Sequence, residues 1–95
     1  MNQKEVERLK EKASLDIFEE NCARVTQDVF KEVNRQLEKW GVQHHKYPAW
    51  RAIFDEELAE VACSVIAGKN SGYDELIHVV SVGLGWLTDI RTKGV

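Results

Sequence analysis

Apolar residues recur along the first forty positions at spacings mostly of three to five: Val6, Leu9, Ala13, Ile17, Cys22, Val25, Val29, Phe30, Val33 and Leu37. Such a period places them along one stripe of an amphipathic helix running from about Lys4 to Trp40. Ser14 is a good helix cap, so the region reads as one helix or as two with a break near residues 13–16, with residues 1–16 as an N-terminal helical extension. Gly41 stops the pattern, and 42–47 reads as a polar loop. A second helix is predicted from about Ala49 to Ala67, with Pro48 in its first turn, where a missing amide costs little. Gly68 ends it, and Lys69-Asn70-Ser71-Gly72 reads as a turn. A third helix is predicted from about Tyr73 to Arg91. Its interior, Leu76 to Leu87, is nearly all apolar, which marks it as the most buried of the set. Gly83 and Gly85 lower its propensity and leave room for another helix to approach, or simply loosen it locally.

No stretch alternates with period two over a useful length. The fold class is therefore all-α, with three to four helices forming a helical bundle. The 95 residues form a single domain (1–95). A chain this short buries a modest share of its surface, so completion by oligomerisation is expected.

Composition narrows the function classes. Thirteen basic against sixteen acidic residues give a net charge of −3 and no basic tail. That argues against nucleic acid as a partner held through phosphate charge. No apolar run approaches the ~20 residues of a membrane span, and the polar N-terminus does not resemble a signal peptide. A soluble, cytoplasmic protein is expected. Cys22 and Cys63 fit neither a redox pair nor a zinc spacing, and read as reduced thiols acting as small apolar side chains.

Chemistry concentrates in two places. The first is Glu56-Glu57-Leu58-Ala59-Glu60 on the second helix, with Glu75-Leu76-Ile77-His78 on the third. At about 100° per residue, Glu57 and Glu60 lie about 60° apart. Trp50, Phe54, Leu58, Val61 and Val65 form the predicted apolar face; Glu57 falls at its edge, Glu60 beside it and Glu56 furthest out. Glu75 and His78 share a face of the third helix, and antiparallel packing would bring the two pairs together. Carboxylates beside an apolar face need a partner. A divalent cation, Mg2+ or Mn2+, is one such partner, and it can also take substrate phosphates. The alternative is a solvated acidic stripe paired with Lys or Arg.

The second place is the loop from Lys39 to Trp50, which gathers Trp40, Gln43, His44, His45, Lys46, Tyr47 and Trp50, with Arg51 just beyond. Aromatic faces stack on nucleobases, and Gln or His reads a base edge. Lys46 and Arg51 are suited to phosphates. Alternatively, Trp40 and Trp50 are core anchors flanking a turn. A metal on His44-His45 is disfavoured, because adjacent side chains diverge. Trp86, three turns beyond Glu75, reads as core or subunit interface.

Taken in order, Lys-Trp-Gly-x-Gln-x-His (Lys39 to His45), Trp50, Glu-Glu-x-x-Glu (Glu56 to Glu60) and Glu75-Leu-Ile-x-Val-x-x-Val resemble the MazG-like all-α nucleoside triphosphate pyrophosphohydrolases. The likeness covers roughly residues 33–90. It implies a magnesium-dependent hydrolase that cleaves the α–β phosphoanhydride of nucleoside or deoxynucleoside triphosphates, yielding monophosphate and pyrophosphate. It further implies Glu57, Glu60 and Glu75 as metal ligands, with Glu56 supporting them or orienting the attacking water. Trp40, Gln43, His45 and Trp50 would line the base and sugar pocket. It implies assembly as a homo-dimer or homo-tetramer. By residue type alone, Lys46, Arg51 or Lys69 would clamp phosphates, without a ranking among them. His78 stands where the family usually has Asp, as a fourth metal-site position. Imidazole suits Mn2+ or Zn2+ better than Mg2+. That departure keeps a catalytically weakened nucleotide-binding protein open as an alternative. A ferritin-like metal protein, from the Glu-x-x-His half-motif, and a purely structural helical oligomer also remain open.

Overall fold

The computed structural model of the chain describes residues 1–68 and 71–94. It contains three helices, α1 (Gln3–Trp40), α2 (Tyr47–Ile66) and α3 (Tyr73–Lys93), and no strand among the described residues. Among those residues, no helix is long and apolar enough to cross a membrane.

α1 is one unbroken helix. Asn2 caps it, its side chain accepting from the Glu5 amide at 2.9 Å. The alternative break at 13–16 is absent. Ser14 has a competing cap to offer, but no glycine or proline interrupts residues 3–40, so the intrahelical ladder continues through it. Thirty-eight residues extend about 57 Å, which matches the 58 Å longest dimension of the molecule. The N-terminal half of α1 therefore projects past the shorter helices. Leu9, Ile17 and Phe18 on it are more than half exposed. Gly41, at φ 70°, ends the helix in the left-handed region that glycine tolerates.

α2 and α3 run antiparallel, as Trp50 meets Gly85 and Asp89 at one end while Ser64 bonds Glu75 at the other. α1 and α3 run parallel: Asp28 accepts from the Tyr73 hydroxyl at 2.6 Å, and Glu32 lies 3.6 Å from His78. α3 packs closely against both other helices, and among the described residues the Cα atoms of α1 and α2 do not come within 8 Å of each other. The three helices thus form an open trough, with α3 as its floor. As its apolar interior predicts, α3 is the most buried helix, contributing Ile77, Val79 and Val82 to a core completed by Val29 and Trp50.

The inward face of α2 is rotated from the predicted one. Trp50, Ile53, Phe54, Glu57, Val61 and Ser64 turn inward, whereas Leu58 and Val65 are about half exposed. One contact helix leaves only a narrow seam to fill, and the seam follows Trp50. The indole lies against Gly85, where an added Cβ would touch Trp50 Cη2 at 3.4 Å, and an added Cβ at Gly83 would touch Phe54 at 3.7 Å. The small residues of α3 serve the aromatics of α2. Cys22 and Cys63 are both exposed free thiols rather than core side chains.

Candidate functional site

The trough holds two clefts. The first, about 290 Å³, lies between α1 and α2 over the N-terminal half of α3. Of the residues singled out in the sequence, it gathers Trp40, Gln43, His45, Glu57 and His78. To these it adds Glu32, Arg35 and Gln36 from α1. Each helix supplies this wall for a local reason. Glu57 and Trp50 are seven residues apart on α2, two turns, so burying Trp50 carries Glu57 inward. Likewise His78 follows Ile77 on the buried side of α3, and Glu32 lies one turn beyond Val29 on α1.

The electrostatics of the cleft are uneven. Glu32 is buried and gripped by Arg35, whose Nε donates to its Oε2 at 2.8 Å; Gln36 donates to its Oε1 at 3.3 Å. These bonds, the Arg35 one foremost, hold the Glu32 carboxyl below its ordinary range despite burial. Glu57 has the opposite fate. Burial, followed by the nearby Glu60 charge, pushes its carboxyl up, and its Oε2 is buried without a hydrogen-bond partner. Arg35 also stands over the Trp40 ring at 5.8 Å, and Lys39 at 4.7 Å, so two cations neighbour the indole.

The other predicted site residues lie elsewhere. Glu56 and Glu60 are exposed and do not line the cleft. Glu75 accepts from the Ser64 hydroxyl at 3.0 Å, away from the cleft lining. Lys46 precedes α2 as an exposed residue, and Arg51 pairs with Asp55 at 3.0 Å on the outer surface; neither reaches the cleft. Lys69 falls outside the described residues. Trp50 is buried in the core, only 3 % exposed, so its face is a wall rather than a free stacking platform. Trp86 packs edge-on to Phe54, in keeping with a core role. Among the described residues, no three His, Cys, Asp or Glu side chains converge closely enough to hold a metal ion as they stand.

The second cleft, about 380 Å³, is mainly apolar and lies between α1 and the C-terminal half of α3. At its end sits Asp89, a carboxylate that sequence reasoning passed over. It is 3 % exposed. Its Oδ1 meets His44 Nδ1 at 2.8 Å, while its Oδ2 accepts from the Trp50 indole at 2.7 Å, the His45 amide at 3.2 Å and Lys93 Nζ at 2.8 Å. Those partners, Lys93 first, hold it far below the usual carboxylate range. The signal in the sequence was a single carboxylate inside the apolar run from Leu84 to Ile90, with a lysine four residues on. For Glu32 it was an i, i+3 arginine next to the buried Val29–Val33 stripe.

Fold and site together define an all-α protein with a carboxylate-containing cleft walled by three helices. No family model, curated protein or solved structure matches the chain.

Proposed function

We propose that the protein is a cytoplasmic, MazG-like nucleoside triphosphate pyrophosphohydrolase that cleaves the α–β phosphoanhydride to monophosphate and pyrophosphate. The observation that carries this is Glu57: a carboxylate oxygen buried in a cleft without a hydrogen-bond partner, raised in pKa, and facing the aromatic and amide groups of the 40–45 loop. A group in that condition favours a cation that would accept its charge.

Glu57 would be the first ligand of a divalent ion, Mg2+ or Mn2+, and His78 lines the same cleft as an imidazole donor better suited to Mn2+. The resemblance adds Glu60 and Glu75, which lie outside the cleft lining and would have to move to reach it. Such an ion supplies charge neutralisation of the triphosphate and a lower pKa for a water. The chain's own residues do the rest. Trp40 offers a face for the base, Gln43 and His45 offer hydrogen bonds to its edge, and Arg35 offers positive charge inside the cleft. Lys46 and Arg51, read from the sequence as phosphate-binding cations, do not line the cleft, whereas Arg35 does.

Assembly as a homo-dimer or homo-tetramer belongs to the same proposal. What supports it is the amount of apolar surface on the single chain, Leu9, Ile17, Phe18, Leu58, Ile66 and Leu87 among it. Light scattering on the purified protein tests it, and a monodisperse monomer would exclude it.

A second reading, a nucleotide-binding protein with weakened turnover, is favoured by the exposed position of Glu60 and the presence of His78. Pyrophosphate release from a panel of NTPs and dNTPs, with Mg2+ or Mn2+, beside Glu57→Gln, separates the two. Metal-dependent release that disappears in the variant supports the enzyme; nucleotide binding without release supports the second reading.

A further inference from the structure

The loop that brings Gln43 and His45 to the first cleft has no secondary structure of its own. Its contacts are nevertheless specific. The His45 amide donates to Asp89 Oδ2 at 3.2 Å, and the adjacent His44 ring meets Oδ1 at 2.8 Å. Lys93, itself 2.8 Å from Asp89, donates to the His45 carbonyl. The Trp50 indole bonds Asp89 at 2.7 Å and packs edge-on against the His45 ring, centroids 4.8 Å apart. His45 Nε2 then meets Gln43 Oε1 at 3.2 Å. One buried carboxylate thereby ties together the loop, the start of α2 and the end of α3.

We propose that Asp89 is a positioning residue: it orients Gln43 and His45 toward the nucleotide without touching substrate itself. The substrate part of this rests on the function proposed above; the loop-ordering part does not. Asp89 lies about 16 Å along α3 from His78, at 1.5 Å per residue, and lines only the second cleft. The negative charge matters as well as the shape, since the hydrogen bonds from Lys93, Trp50 and His44 stabilise the ionised form.

Three variants test this: Asp89→Ala, Asp89→Asn and His44→Ala. The first removes every bond to the carboxylate and leaves the Lys93 bond to the His45 carbonyl. The second keeps an oxygen able to accept from Trp50 and His45. The third removes only an exposed partner, so the core stays intact. Two readouts apply to each, amide hydrogen exchange of His45 followed by NMR, and steady-state pyrophosphate release with the four dNTPs and Mg2+. In Asp89→Ala, His45 exchange should rise on the order of tenfold while amides within α3 change little, and KM should rise on the order of tenfold with kcat nearly preserved. Asp89→Asn should recover part of both effects. A fall in kcat at constant KM, or unchanged His45 exchange, would overturn the proposal. If Asp89→Ala does not fold, His44→Ala decides it: faster His45 exchange supports the proposal, and unchanged exchange refutes it. A wild-type protein that releases no pyrophosphate would refute the enzyme assignment and the substrate-orienting role with it, while the exchange data would still decide loop ordering.

Discussion

Two carboxylates, Asp89 on α3 and Glu57 on α2, sit over opposite halves of α3 in opposite conditions. At the C-terminal half, Asp89 has four hydrogen-bonding partners and is held far below its usual range. Over the N-terminal half, Glu57 has a buried oxygen without a hydrogen-bond partner and is pushed upward. A satisfied carboxylate rigidifies what surrounds it, while an unsatisfied one costs stability and remains available to a ligand. The molecule is thus built firmly at one end of the trough and poised at the other. Clefts follow the same division: the more polar one adjoins Glu57, and the mainly apolar one ends at Asp89.

The comparison breaks most directly at Glu57. Glu57→Gln should reduce pyrophosphate release by at least about a hundredfold, the scale of a lost essential group, while the fold is retained by circular dichroism. It should also stabilise the protein. The folded-state pKa of Glu57 is raised, so ionising it destabilises the native state as pH rises above the unfolded carboxylate range. The stability gain of the variant should therefore be present at pH 7, up to about 1 kcal/mol, and vanish near pH 4. A variant that is less stable at pH 7, or fully active, would remove Glu57 from its place in the comparison.

Acid should act on the two hydrogen-bonded carboxylates, Asp89 and the Glu32 that shares the cleft of Glu57, with the opposite sign. Asp89 and Glu32 both have lowered folded pKa values, so their contribution is complete above about pH 4 and is lost as pH falls below that toward their folded values. Chemical denaturation at pH 7 and pH 3 should show the wild type weaker at pH 3, with less of that loss in Asp89→Asn. A pH-independent midpoint would contradict it.

Divalent cation sharpens the contrast without any reference to turnover. Millimolar Mg2+ or Mn2+ should raise the melting temperature of the wild type by a few degrees, the effect of a ligand selective for the native state at several times its Kd. The same cation should leave Glu57→Gln unmoved. Equal responses would mean that the ion binds elsewhere. The smallest expected effect is at Gly83, where an added Cβ would be in ordinary contact, 3.7 Å from Phe54. Gly83→Ala should stabilise by up to about 1 kcal/mol through helix propensity, read as a rise in denaturation midpoint. A loss there would mean that α3 needs local flexibility.

The helices were legible because their signals are local. Gly41, Pro48 and Gly72 mark boundaries through backbone conformation, and the observed ends fall within two residues of the predicted ones for α2 and α3. The supposed break at Ser14 was a local signal of the wrong kind: a capping residue does not end a helix whose ladder nothing interrupts. Two of the candidate residues ride into the cleft with buried neighbours, Glu57 with Trp50 and His78 with Ile77. Lys46 and Arg51 do not line it, and Glu32, Arg35 and Asp89 were not singled out from the sequence. Their partners lie on other elements or depend on which helix face is covered, and a pattern along one chain does not carry that.

By itself, then, the sequence determined that the chain is all-α, where its helices run, and which short segments hold candidate chemistry, because helix periodicity and turn residues act over a few neighbouring positions. Only the tertiary structure decided which polar groups are buried and what they meet. α3 packs against both other helices while α1 and α2 stay apart. That arrangement leaves a trough, seats Trp50 over Gly85, closes four donors around Asp89 and leaves a Glu57 oxygen buried without one. Desolvation and hydrogen bonding depend on distances between elements, so these outcomes came into being only when the helices packed.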